Sequence, residues 1–444
     1  MKKILILNAR IVNEGSIQSG DVFIQNGRIE AIGPGLAGRQ ADITIDADGQ
    51  VLMPGMIDSH VHFREPGLTH KGDIASESRA AVAGGITSYL EMPNTIPPTT
   101  TRKRLAEKYR IASRTSLANY GFYLGATSDN LDEIKGVDPQ QVCGIKVFMG
   151  ASTGNLLVDQ PDAIRRIFAE APIPVAVHCE DPVIIQKNEA LFRSRFGEDV
   201  PIRHHPDIRS VDACYRSTSL AVEVAKRYGT RLHVLHLSTQ KELSLFSSDP
   251  IAEKSITAEA CVHHLFFDAD DYEEKGALIK CNPAIKAQHH RDALIDAVLD
   301  NRIDAIGTDH APHTLAEKEK SYFNAPSGLP LVQHALVSLL EGYHRGVFSL
   351  ELIVEKTAHA PATLFQIEDR GFIREGYWAD LVLLDLQRPW TVSSENIQSK
   401  CGWSPFGGYR FRSSIETTIV SGHLAWHAGR IDPKIPGQPL SFRR

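Results

Sequence analysis

The 444-residue chain has few cysteines, six over its whole length, and no two of them form a C-x-x-C pair. That scarcity excludes a disulfide framework and argues against a structural zinc finger. No apolar run approaches the roughly 18 residues that a membrane-spanning helix needs. The opening Lys2-Lys3-Ile4-Leu5-Ile6-Leu7-Asn8 imitates the start of a signal peptide, but polar Asn8 and Arg10 cut its apolar part short of an h-region. It reads as a first β-strand, and a cytoplasmic location is expected. Long basic runs are missing too: 48 Lys+Arg face 54 Asp+Glu, for a net charge of -6, and the pI is near 6.3. Neither a nucleic-acid nor a membrane-surface partner is expected from that balance.

What is present is a core-forming composition, 42% apolar and 23% charged, in a chain longer than one ordinary domain. Residues 1–54 read as short strands separated by Gly, Asn and Pro. From Gly55 apolar strand-like runs alternate with longer helical patterns. The runs fall at 56–63, 86–92, 121–126, 144–149, 175–179, 232–237, 255–260 and 303–308. Helical periodicity occupies 101–113, 163–170, 211–228 and 289–299 between them. This rhythm predicts an α/β fold, a (β/α)8 TIM-like barrel over residues 55–376. A doubly wound open sheet is the alternative and needs fewer strands. From about Tyr377 the short-strand texture returns, so residues 1–54 and 377–444 are expected to build one small composite β domain.

The strongest local signal is Asp58-Ser59-His60-Val61-His62-Phe63-Arg64-Glu65-Pro66-Gly67. On a strand, residues i and i+2 face the same way, so His60 and His62 are expected to point together into the barrel mouth as neutral imidazoles suited to a metal. Two histidines in an ordinary strand are the plainer alternative. Other predicted strands add to the signal. Lys146 lies in an apolar run, where an ammonium is costly unless paired or modified. His178 ends strand 5, His233 and His236 lie on strand 6, and Asp309 follows strand 8 in Thr308-Asp309-His310-Ala311-Pro312-His313. Barrel active sites form where strands give way to βα loops, and these residues converge there.

Taken together, the H-x-H on strand 1, Lys on strand 4, His on strands 5 and 6 and Asp on strand 8 resemble the binuclear amidohydrolase superfamily. Within it the chain is similar to the dihydroorotases along nearly its whole length. The matching segments are His60–Gly67, Glu91-Met92-Pro93-Asn94-Thr95 and Thr308–Thr314, with weaker matches at Asn282-Pro283, Ser327-Gly328 and Ser404-Pro405-Phe406. The resemblance implies two zinc ions, one held by His60, His62 and Asp309 and the other by His178 and His236, with a carbamylated Lys146 bridging both. Asp129 and Asp159, the other acids near strand 4, lie outside it. The resemblance further implies Asp309 as the catalytic proton carrier, and Arg64, Asn94, Asn282, His313, Ser327 and Gly328 as substrate contacts. The reaction implied is reversible hydrolysis of a cyclic amide, with a small carboxylate-bearing substrate as partner. A homo-oligomer is compatible with all of this.

Alternatives stand beside these expectations. His233 competes with His236 as the strand-6 ligand. His263, His264 and His310 are expected to support or pack, and His204, His205, His289 and His290 to have no role. Glu180 or Asp181 is expected to orient a ligating histidine. Arg64 could instead pair with Glu65 or Asp73 at the surface. The stretch 314–329 reads as a mobile lid. Hydantoinases, dihydropyrimidinases and allantoinases share the ligand pattern, but their substrates carry no ring carboxylate. A non-catalytic dihydroorotase-like subunit is expected to lose ligands, and this chain keeps them.

Overall fold

The computed structural model describes residues 2–150, 156–432 and 437–444. Both chain ends contribute to one nine-stranded sheet. The first segment supplies β1 (Ile4–Asn13), β2 (Ser16–Gln25), β3 (Arg28–Gly33), β4 (Ile43–Asp46) and β5 (Val51–Pro54). Two-residue hairpins join the first three. Glu14-Gly15 connects β1 to β2 and Asn26-Gly27 connects β2 to β3, with positive φ at all four residues. That is the primed-turn geometry whose twist matches the flanking strands. The inward face of the sheet packs Ile4, Ile6, Val22, Ile24, Leu52, Leu381, Leu383 and Ile419.

The string Gly33-Pro34-Gly35-Leu36-Ala37-Gly38 matches the dinucleotide-binding pattern G-x-G-x-x-G. It follows an antiparallel strand and leads only into a three-residue turn, Leu36–Gly38. The βαβ context that gives the motif meaning is therefore missing.

Eight consecutive parallel strands follow: β6 (Met56–Val61), β7 (Ile86–Glu91), β8 (Asn119–Gly125), β9 (Gly144–Met149), β10 (Val175–Cys179), β11 (Leu232–Val234), β12 (Ile256–Cys261) and β13 (Ala305–Gly307). Each pairs with its sequence neighbour. The ring closes just past β13, where His62 N donates to His310 O at 2.7 Å and Val61 bridges His310. This is the barrel the alternation predicts. The helices between the strands carry their own stop signals. Helix Val211–Tyr228 begins at Ser210, whose hydroxyl accepts from Ala213 N, and ends at Gly229 with φ 69°.

The last strands are β14 (Leu381–Asp385), the ribbon β15 (Trp390–Thr391) with β16 (Arg410–Phe411), then β17 (Ser414–Val420), β18 (His423–His427) and β19 (Arg430–Ile431). β14 pairs with β5, and this contact brings both chain ends into the one sheet. The final residues, expected with the small domain, instead cross the N-terminal end of the barrel. Leu440 N donates to Tyr120 O, and Phe442 packs against Leu90 and Tyr123 in one buried cluster.

Five strands end earlier than the apolar pattern suggests, β7 and β8 by one residue each, and the other three lead into residues of the mouth. β6 stops at Val61, β11 at Val234 and β13 at Gly307. In each case the next residues leave the ladder to line the mouth, and Arg64, His236 and Asp309 adopt φ of 69°, 38° and 48°. Such conformations are costly for non-glycine residues and cluster at functional sites. Arg64 therefore reaches the cavity of His60 and His62 through a left-handed turn and not along their strand face.

Candidate active site

A cavity of about 280 Å3 opens at the C-terminal end of the barrel strands. His60, His62, Arg64, Asn94, Lys146, His178, His236, Asn282, Asp309, His313, Ser327 and Gly328 all line it, with Phe148, Ala311 and Pro326. Every residue expected at the site from sequence therefore borders one space.

On one side, His60 Nε2 and His62 Nε2 lie 3.1 and 3.0 Å from the same Asp309 Oδ1. The other ring nitrogens are already engaged. His60 Nδ1 donates to Glu259 Oε1 at 2.8 Å and His62 Nδ1 donates to Asn94 Oδ1 at 2.6 Å. Those bonds turn both Nε2 atoms toward one carboxylate oxygen, an arrangement that calls for a cation, either a proton or a metal ion, at their centre. Burial works against a charge on His60, but Asp309 and Glu259 outweigh it and raise the imidazole to about 9. Burial holds His62 down at about 4. Burial also opposes the Asp309 charge, yet His60 and His62 keep this carboxyl well below its usual range.

On the other side, His178 Nδ1 and His236 Nε2 approach to 2.9 Å. His178 Nε2 donates to Glu180 Oε2 at 3.0 Å, so its Nδ1 is the free lone pair. Among the described residues, His236 Nδ1 is buried without a hydrogen-bond partner. Burial depresses both imidazoles, which keeps them neutral as metal ligation requires. Between the two halves stands Lys146, 1% exposed, with Nζ 4.6 Å from the Phe148 ring centre and no ion pair among the described residues. Burial lowers its amine to about 7. The donor set, four imidazoles and a carboxylate around a buried amine, fits two divalent cations.

A third corner is built from donors. Arg64 is 6% exposed and makes no ion pair among the described residues; its Nε donates to Pro312 O at 3.1 Å. One Nη lies 2.9 Å from His313 Nε2, and Lys71 Nζ lies 3.0 Å from His313 Nδ1. Burial lowers the Arg64 guanidinium to about 10, so it stays charged at neutral pH. Surface pairing with Glu65 or Asp73 does not occur: Glu65 accepts from Ile74 N, and Asp73 caps helix Ile74–Ala83. The two sequence motifs beside this corner interlock. Gly67 has φ 87°, and a side chain there would run into Ile96 O. Gly328 has φ 142° and abuts Ala311 O, so only glycine lets its backbone approach the cavity.

The residues left open by sequence now have places. Glu180, not Asp181, orients His178; Asp181 caps helix Pro182–Phe196. His233 points below the cavity, with Nδ1 2.9 Å from Thr257 Oγ1. His310 joins Glu77 to the loop at Leu331 and supports the barrel closure. His264 Nε2 donates to Pro283 O, and His263 is buried beside it. His205, expected to have no role, is buried and donates to Cys281 O at 2.7 Å, next to Asn282.

The stretch 314–329 is not free chain. Lys318, 1% exposed, donates to Lys280 O, Pro326 O and Gly328 O, and Lys280 donates to Tyr322 O and Ala325 O. Two buried lysines therefore bolt the stretch down, and a lid is not what this arrangement describes. Sequence reasoning missed Glu259, Arg209, Lys71 and Lys318. For Glu259 a signal existed: a lone carboxylate inside the buried run Thr257-Ala258-Glu259-Ala260-Cys261, the counterpart of Lys146 in its own strand.

Comparison with known proteins agrees with this geometry. The amidohydrolase family model matches residues 51–425. A dihydroorotase of Halobacterium salinarum is 36% identical over 423 residues, 94% of this chain and 96% of its own length. An allantoinase of Solibacter usitatus is 33% identical over 99% of this chain and 97% of its own. The L-hydantoinase (dihydropyrimidinase) from Arthrobacter aurescens superposes with a TM-score of 0.91 at 28% identity, covering 97% of this chain and 98% of that one. With a family model spanning most of its length and relatives above 30% identity, the chain belongs to the amidohydrolase family.

Proposed function

We propose that the chain is a zinc-dependent dihydroorotase of the cytoplasm, interconverting dihydroorotate and N-carbamoyl-aspartate for pyrimidine synthesis. The observation that carries this reading is Arg64: a buried guanidinium at the cavity corner that makes no ion pair among the described residues. A buried, unpaired charge is expensive, and an anionic substrate group relieves the cost. Hydantoin, dihydrouracil and allantoin lack the ring carboxylate that would do so. The naming of relatives as dihydroorotases supports the same reading.

His60, His62 and Asp309 would hold one zinc ion and His178 and His236 the other, with Lys146 as a carbamate between them. The low basicity of the buried amine favours the neutral form that carbamylation needs, and the resulting anion suits a dication pair. When bound, such ions lower the pKa of water to about 7 and polarise a carbonyl. Asp309, ionised and fixed by two imidazoles, takes the proton of the attacking water and hands it to the departing ring nitrogen. Arg64 grips the ring carboxylate through its planar fork. Asn94 keeps its Nδ2 for substrate, because its Oδ1 is committed to His62. Asn282, Ser327 and Gly328 extend the wall that begins at His313. In reverse the same groups close the ring.

The test is a panel of dihydroorotate, hydantoin, dihydrouracil and allantoin, with zinc measured on the same preparation. Turnover of dihydroorotate at two zinc ions per chain is expected; preference for a neutral ring overturns the reading. The string Gly150-Ala151-Ser152-Thr153-Gly154 matches the serine-hydrolase pattern G-x-S-x-G, and residues 151–155 lie outside the described part. Loss of turnover on chelation, with none caused by a serine-directed reagent, separates the two chemistries.

A further inference from the structure

His178 and Asn282 are linked through Arg209, which does not itself line the cavity. Glu180, fully buried after β10, accepts at Oε2 from His178 Nε2 at 3.0 Å and from Arg209 Nη1 at 2.7 Å. The second arm of the same guanidinium reaches Asn282. With the Asn282 amide turned so that Nδ2 donates to Cys281 O and Ser327 Oγ, both at 3.0 Å, its Oδ1 accepts from Arg209 Nη2 at 3.2 Å. That orientation gives each amide atom a partner of the right kind. The Arg209 side chain is 11% exposed, and its backbone N donates to His205 O. His205 itself donates to Cys281 O at 2.7 Å. One helical turn, His205–Ile208 with Arg209 behind it, thus holds residues 281 and 282 through two side chains.

We propose that Arg209 is a positioning residue that couples the orientation of His178 to the placement of Asn282 and Ser327 on the substrate wall. The proposal rests on the dihydroorotase reading for its kinetic part, while its metal part stands apart from the substrate. The fork geometry is the reason for arginine. A guanidinium presents two rigid donors in one plane, and here one engages a carboxylate and the other an amide oxygen. An ammonium on a flexible stem can satisfy the carboxylate but cannot hold both at fixed separation. Asn282 and Glu180 follow different barrel strands and share no other hydrogen-bond partner among the described residues, so Arg209 is the bridge between them. A substrate that pulls on Asn282 is therefore felt at His178.

The test uses the holoenzyme with Arg209→Met and Arg209→Lys. Arg209→Met should raise KM for dihydroorotate by about 10-fold or more and shorten metal retention against a chelator by about 10-fold. Arg209→Lys should restore metal retention and leave KM raised, a split that a purely structural role would not produce. In the Asn282→Ala background, Arg209→Met should add little further to KM. Wild-type KM and retention in Arg209→Met, or recovery of both by lysine, overturns the proposal; so does a full, multiplicative KM effect in the double variant. Should wild type hold metal yet leave dihydroorotate untouched, the functional reading fails, and the retention arm still decides whether Arg209 supports His178.

Discussion

Glu259 Oε1 lies 2.8 Å from His60 Nδ1, and neither side chain is reached by solvent. The same carboxylate accepts from Ser59 Oγ at 2.7 Å, so Glu259 fixes the strand-1 histidine from the side facing away from the cavity. Burial opposes its charge, but His60 and His233 keep it ionised far below the usual carboxylate range. An imidazole that donates to a buried carboxylate is locked in one tautomer and made a better ligand.

Glu259→Gln keeps the shape and loses the charge. Metal affinity should fall by about 10- to 100-fold, with wild-type secondary structure by circular dichroism. Chelator titration measures it; an unchanged affinity would mean that His60 needs no such support.

The strand-6 ligand is decided by a pair of variants. His236→Ala should remove one zinc ion per chain and nearly all turnover. His233→Ala should keep both ions, because His233 is bonded to Thr257 beneath the cavity. Elemental analysis of the two proteins reads the result, and the reverse outcome would exchange their roles.

Arg64→Met tests substrate choice. Charge-assisted hydrogen bonds are worth about 1.5–3 kcal/mol each, so kcat/KM for dihydroorotate should drop about 10-fold to more than 100-fold with both metals retained. Wild-type efficiency in this variant returns the hydantoinase reading to contention.

The fourth expectation concerns acid. Burial pushes Glu317 up, but its bonds to Lys71 and to Thr314 prevail and hold it at about 2, against 4.5 unperturbed. A carboxyl depressed by folding contributes stability that is complete above its unfolded value and is lost as pH falls from about 4.5 toward about 2. The stability gap between wild type and Glu317→Gln, followed by urea unfolding of the metal-free proteins, should therefore close over that interval. A gap that stays constant across it would show that the Lys71 contact does not stabilise the fold.

Much of the architecture was legible because its determinants are local. β9 and β10 appear with the bounds the apolar runs suggest, since Gly144 and Pro174 interrupt the pattern at their starts. β11 was overrun because Leu235 and Leu237 prolong the apolar pattern: their N–H groups still bond to Val177 O and Glu259 O, but the positive φ of His236 ends regular strand geometry, and burial in a strand gives way to burial in an irregular segment. Periodicity reports burial and cannot tell one kind from the other. The candidate ligand residues were readable because histidine and aspartate at strand ends, and a lysine inside an apolar strand, are conspicuous, and the H-x-H segment marks its own spacing.

The sequence by itself determined the order of strands and helices, the barrel, the return of β texture at both ends and the residues bordering the cavity. The first three follow from short-range patterning; the cavity residues follow from residue type at their positions together with the family resemblance, which alone pointed to Asn282, Ser327 and Gly328. Only the tertiary structure decided which nitrogen of each histidine is free, that Glu180 and Glu259 are the acceptors behind them, that Arg209 spans two walls, and that Lys318 holds the loop at 314–329 in place. Those relationships join residues far apart in sequence, Glu259 to His60 across 199 positions. They depend on angles and distances of about 3 Å that arise only once the barrel has closed.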